Sequence, residues 1–136
     1  MKIEISEKQQ IDKEKILDLY RQNKWSSADK PDELIKALEN SHSLISAWDG
    51  DKLVGLANSI SDGYLVVYYP HLLILPNYQR KGIGKMIMNK FQEKYSGFHQ
   101  QILVADGKDI DFYENCGFVR AGNCLPMWIY KGHDHD

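Results

Sequence analysis

Cysteine, proline and long apolar runs are all scarce in this sequence, and each scarcity rules something out. Two cysteines, Cys116 and Cys124, are too few for a disulfide framework. The opening MKIEISEKQQ has no apolar core of the kind a secretory signal needs. No window approaches the roughly 18 apolar residues that reach across a bilayer. The expected compartment is therefore the cytoplasm, with both thiols reduced and no membrane partner. The four prolines, Pro31, Pro70, Pro76 and Pro126, are scattered as punctuation and mark no linker. Neither sign of charge dominates, because 17 Lys and Arg stand against 19 Asp and Glu for a net charge of -2. Without a basic field, nucleic-acid binding lacks its usual electrostatic drive, and no nucleic-acid partner is expected. Internal repeats and low-complexity segments are missing too.

What is present is a globular composition. The chain has 136 residues, 43% hydrophobic and 26% charged, which is enough for one domain with a two- or three-layer core. A single domain over 1–136 is the expectation. MKIEIS alternates as a short strand, and IDKEKILDLYRQNKW places Ile16, Leu19 and Tyr20 at helical spacing after Asp12 as cap. KPDELIKALENS opens on Pro31 and two acids, a good helix start. SLISAWDGDKLVGLANSISDG reads as a hairpin turning at DGD. YLVVYYPHLLILP is too apolar to be half exposed and reads as a central strand. Pro70 inside it lacks a ladder amide, which predicts a bulge or splayed pairing. Ile83, Met86, Ile87 and Phe91 predict a helix to about Tyr95. HQQILVA is a further strand, DIDFYENC a short helix, and FVRAG and MWIYK two last strands. The order gives an α/β fold with a mixed sheet and helices on both faces.

The greasy run breaks at QRKGIG, residues 79–84. A strand, a short polar turn and two glycines at a helix opening leave backbone N–H groups unpaired and pointing outward. The helix dipole favours an anion there, and Gly82 and Gly84 keep side chains out of its way. Arg80, Lys81 and Lys85 add positive charge. The alternative is a plain turn with solvated lysines. Two nucleotide motifs fail: Gln79 and Met86 stand where a P-loop needs Gly and Ser or Thr, and Ile87 where a Rossmann fingerprint needs a third glycine.

What remains is Q-x-x-G-x-G, from Gln79, Gly82 and Gly84, after the apolar LLILPNY. About thirty residues on stands FYENCGF, Phe112 to Phe118. On these two elements the chain resembles the GNAT family of N-acetyltransferases. There Q/R-x-x-G-x-G/A binds the pyrophosphate of acetyl-CoA, and F/L-Y-x-x-x-G-F carries a tyrosine. The resemblance covers residues 43 to 120 well and the first forty only in pattern. It implies a GNAT-like, mostly antiparallel mixed sheet with a central splayed strand pair. It implies that backbone groups of Leu72, Leu73 and Ile74 hold the pantetheine arm. Gln79, Arg80, Lys81, Gly82, Ile83, Gly84 and Lys85 would hold the pyrophosphate, mainly through their amides, with Tyr113 beside the cofactor. It also makes a homodimer an option. Asp106 and Asp109 depart from the family, which commonly has Asn and Ala there, and a carboxylate cannot donate as an Asn amide does.

Acetyl transfer to an amine needs a neutral amine, whose free pKa is roughly 10. It also needs a donor to the oxyanion and a proton for the thiolate. A backbone N–H near Leu72 or Leu73 would serve the oxyanion, and Tyr113 is the expected acid. The general base is the weakest assignment. The family's usual positions carry Tyr68 and Pro70, and His71, the nearest titratable group, faces the right way only if the bulge resets the register. Water-mediated deprotonation, aided by Tyr68, is the alternative. The acceptor is open between a small-molecule and a peptide amine. Tyr64, Tyr68, Tyr69 and Trp25 would suit an aromatic one if they line the cleft, and the loop holding Trp25 could form a lid. No metal is expected, although His133 and His135 have an H-x-H spacing. Cys116, at a helix C-terminus, is not expected to be a nucleophile. A second reading is an acyl-CoA-binding or regulatory module with little catalysis.

Overall fold

The structure is a computed structural model that describes residues 1–133. Strand β1 (Ile3–Ser6) is followed by helices α1 (Lys13–Gln22) and α2 (Pro31–Glu39), the hairpin β2 (Ser43–Asp49) and β3 (Lys52–Ser61), and β4 (Val66–Ile74). Helix α3 (Ile83–Lys94), β5 (Gln100–Ile102) and α4 (Ile110–Asn115) complete the regular elements. Among the described residues no helix is long and apolar enough to cross a membrane.

Local chemistry sets the boundaries as the sequence suggests. The Asp12 carboxylate caps α1 by accepting from the Lys15 N–H, which satisfies one of the orphan donors of the first turn. Pro31 opens α2, with Asp32 and Glu33 in its first turn where the dipole favours them. Gly50 takes a left-handed φ of 60° at the tip of the β2–β3 hairpin, which costs glycine nothing.

The five strands lie in the order β1-β2-β3-β4-β5. The first three pairs are antiparallel and β4–β5 is parallel, so the sheet is mixed and mostly antiparallel. Helix α1 packs on one face and α3 on the other: Gly55 sits under Ile87 of α3, whereas Tyr20 of α1 meets His71 from the opposite side. The core comprises Leu17, Leu19, Tyr20, Leu44, Ile45, Leu56, Ile83, Ile87, Met88 and Phe91 among others. Each such side chain contributes roughly 1.5–3 kcal/mol on leaving water.

Two features of β4 prepare the site. Asn58 pairs His71 but Ile60 pairs Tyr68, so two steps along β3 match three along β4. The extra residue falls at Tyr69–Pro70, where proline has no N–H to give. The bulge reverses the faces. Tyr69 packs its ring 4.9 Å from Phe91 of α3, while His71, two residues on, turns to α1. The second feature is splaying: β5 pairs β4 only from Val66 to Tyr68. Beyond that, among the described residues, β4 has a strand neighbour on one side alone.

The C-terminal region differs from the expectation. FVRAG and MWIYK form no strand, and β5 covers only three residues of HQQILVA. The alternation is present, but Val119, Met127 and Ile129 are 84%, 93% and 93% exposed. Among the described residues they have no face to bury against, and period-2 patterning stabilises a strand only through such a face. His135 lies outside the described residues.

Candidate active site

Where β4 and β5 part, an open cleft of about 1700 Å³ runs from the start of α3 to the Ser26–Asp29 turn. Strand alternation determines which backbone groups face it. The His71 N–H bonds the Asn58 side chain at 3.2 Å and the Leu75 N–H bonds the Val54 carbonyl at 2.8 Å, both toward β3. In a strand, alternate residues direct their amides to opposite sides. The Leu72 and Ile74 amides therefore face the gap, whereas Leu73 directs its groups into the ladder with β3. The Ile74 carbonyl accepts from Asn23 and Gln79 side chains, each at 3.1 Å, so Gln79 braces the strand end with its side chain.

After Pro76–Tyr78 the chain takes left-handed φ at Arg80 (63°) and again at Gly82 (83°). For arginine that conformation costs roughly 1–2 kcal/mol. Gly82 is the N-cap of α3 and supplies no side-chain cap, so the first amides of the helix remain available to a ligand. A Cβ built on Gly82 meets nothing within 4 Å. The glycine is there for its φ and leaves open space before the helix. Gly84 has another reason, since a Cβ there would lie 3.1 Å from the Phe112 ring. It lets α4 dock on α3. Arg80, Ile83 and Lys85 line the cleft with Gln79, Gly82 and Gly84, whereas exposed Lys81 stands outside the lining.

Tyr113 lines the cleft from α4. Burial pushes its hydroxyl pKa up strongly, helped by the negative charge of Asp109, then Cys116 and Asp106, so the phenol keeps its proton. Burial also raises the Asp109 carboxyl and the Cys116 thiol, against Lys85. A raised thiol pKa agrees with the exclusion of Cys116 as nucleophile. Asp106 and Asp109 both line the cleft.

At the far end lies His71, with Nδ1 2.7 Å from the Tyr20 hydroxyl and its ring edge-on to Trp25 at 5.1 Å. Tyr68, Tyr69 and Trp25 line the cleft, whereas Tyr64 does not; Tyr69 also belongs to the core and donates to Gln101 at 2.7 Å. The sequence reading missed three contributors. Tyr20 looked like pure core, Asn23 like the end of a helical segment, and the C-terminal cleft lining between Pro126 and His133 like a strand, MWIYK, followed by a tail. Tyr130 reaches Ser26 at 3.4 Å and His133 reaches Asp29 at 3.0 Å, contacts 104 residues apart that no local pattern encodes. Among the described residues no cluster of three or more metal-ligating side chains forms.

A profile of the acetyltransferase (GNAT) domain matches residues 6–125. The chain belongs to the GNAT acetyltransferase family. Among GNAT proteins of known structure, one from Streptococcus pneumoniae is 31% identical with a TM-score of 0.84, covering 96% of this chain and 99% of that one. A curated relative from Prochlorococcus marinus, called an uncharacterized N-acetyltransferase, is 31% identical over 101 residues, 68% of this chain and 56% of its own. A glucosamine 6-phosphate N-acetyltransferase of Schizosaccharomyces pombe is 34% identical over 64 residues, 46% of this chain and 56% of that protein. The chain thus spans about half the length of these curated relatives. The five-stranded mixed sheet with helices on both faces is the GNAT fold.

Proposed function

We propose that the protein is an acetyl-CoA-dependent N-acetyltransferase that moves the acetyl group directly to an amine within a ternary complex. The observation that carries this reading is the splayed gap beside β4, with the Leu72 N–H directed into it and the uncapped start of α3 at its mouth. Acetyl-CoA, the acetyl donor, would be held by the Leu72 and Ile74 backbone, with Leu73 fixing the strand, and by the amides from Arg80 to Lys85. The empty space before Gly82 fits a phosphate group, and Arg80 and Lys85 supply charge. The Leu72 N–H stabilises the oxyanion that develops in acyl transfer. Tyr113 gives a proton to the departing sulfur. His71 is the third catalytic group, at the acceptor end, and the amine's proton leaves through water in the open cleft. The acceptor is a small-molecule or peptide amine, as glucosamine 6-phosphate is for the fission-yeast relative. The reading extends to a cytoplasmic protein and a homodimer, which light scattering checks by a doubled mass.

The test is a thermal-shift titration with acetyl-CoA beside Gly82→Trp. A ligand that prefers the folded state must stabilise it, so a concentration-dependent rise lost in the variant supports the cradle. No shift in the wild type refutes the reading. Asp106 and Asp109 at the cleft favour a second reading, an acyl-CoA-binding module with little catalysis. Tight calorimetric binding of CoA with no acetylation across a broad amine panel would establish it.

A further inference from the structure

Asparagine suits a buried strand poorly, yet Asn58 sits in β3 at 4% exposure. A buried primary amide brings an acceptor oxygen and an NH2 that have to be met, and leaving them unmet is costly. Its oxygen accepts from the His71 backbone N–H at 3.2 Å, and its NH2 donates to the Ser41 hydroxyl at 3.0 Å. Ser41 in turn donates to the Ala37 carbonyl of α2 at 2.9 Å. The two ends of the amide cannot be exchanged, because a backbone N–H only donates. Asn58 thus ties the last turn of α2 to β4.

The β4 end of that tie lies where the ladder breaks. Asn58 pairs His71, the register then shifts, and Ile60 pairs Tyr68. Pro70, inside the bulge, has no N–H to anchor, so His71 carries the first amide after the break that can be held. We infer that Asn58 is a positioning residue for acyl transfer: by holding the His71 N–H against β3, it commits the next amide, that of Leu72, to the splayed gap. Successive amides of a strand point to opposite sides, and beside a bulge the disrupted ladder does not by itself enforce that alternation. An oxyanion donor is effective when its direction is set before the charge develops. The orientation of the Leu72 amide stands on backbone geometry, whereas its effect on turnover rests on the acetyltransferase reading.

The experiment has two arms. The first needs no substrate: amide hydrogen exchange of the free protein followed in 15N–1H spectra, with the Leu75 N–H, bonded to Val54 across the ladder, as internal reference. The wild type should show a protected His71 amide beside a fast-exchanging Leu72 amide. Asn58→Leu should lower the protection of His71 relative to Leu75 by about tenfold or more, the worth of one hydrogen bond. Asn58→Asp, which keeps an acceptor oxygen, and Ser41→Ala, which leaves the Asn58 oxygen in place, should retain it within about threefold. A protected Leu72 amide in the wild type, or equal protection of His71 in wild type and Asn58→Leu, overturns the inference. Asn58→Ala serves in its place if the leucine variant does not fold, and the wild-type pattern decides without either. The second arm compares kcat and KM on whichever amine the wild type acetylates. Asn58→Leu should lose about tenfold or more in kcat with the amine KM within about threefold, because the misdirected donor acts on the transition state. Ser41→Ala breaks the same tie at its other end, and should lower the urea midpoint while kcat stays within about threefold. Equal loss of kcat in the two variants reduces Asn58 to packing and overturns the positioning role, as does full kcat in Asn58→Leu. A wild type that binds no acetyl-CoA in the thermal-shift titration refutes the functional reading and leaves the exchange result standing.

Discussion

Tyr113 and His71 approach the cleft from opposite faces of the sheet, and each owes its character to neighbours. Burial keeps Tyr113 protonated, which suits an acid and leaves no anion to repel the departing thiolate. Tyr113→Phe removes one proton and little volume. It is expected to lower kcat by about 10²–10⁴, the usual worth of a positioned acid, while the acetyl-CoA thermal shift remains. Unchanged turnover across the pH range would remove the acid role and spare the binding role. Tyr113 was legible in sequence because it stands in a compact motif. The bond from Tyr20 to His71 was not, because hydrogen-bond partners across 51 residues leave no periodic trace.

At the scale of elements, the turn from β4 into α3 is set by two glycines with different duties. Gly82 serves the backbone, with φ 83°, and Gly84 serves packing, with Phe112 at 3.1 Å from its virtual Cβ. Gly84→Val should therefore push α4 off α3 and cost about 1–3 kcal/mol by overpacking, seen as a lower urea midpoint at an unchanged m-value. An unaltered midpoint would mean that Phe112 swings aside freely. The β4 bulge is the other decisive element. Pro70 announced it, because proline cannot join a central ladder. Only the paired register told where the extra residue falls and that His71 consequently turns toward α1.

At the scale of the molecule, three tyrosines are held well above the ordinary value by burial: Tyr20, Tyr69 and Tyr113. A raised folded-state pKa contributes stability that is whole below the unfolded value, about 10. It is lost above that, because the unfolded chain ionises while the folded one does not. Urea unfolding should give equal stability at pH 8 and 9 and a falling midpoint from pH 10 upward. Replacing Tyr69 by Phe should blunt that fall. A midpoint flat to pH 11 would contradict the burial of these hydroxyls.

The sequence by itself determined the helices, the hairpin, the glycine turn and the family, since caps, positive φ and apolar periodicity act within a few residues of one another. The tertiary structure alone decided which face His71 takes, which tyrosine binds it, that the Leu72 amide faces the gap, and that residues 118–133 stay out of the sheet. These depend on register and on whether a partner surface exists. Both are properties of segments far apart in the chain, brought together only by burying the common core.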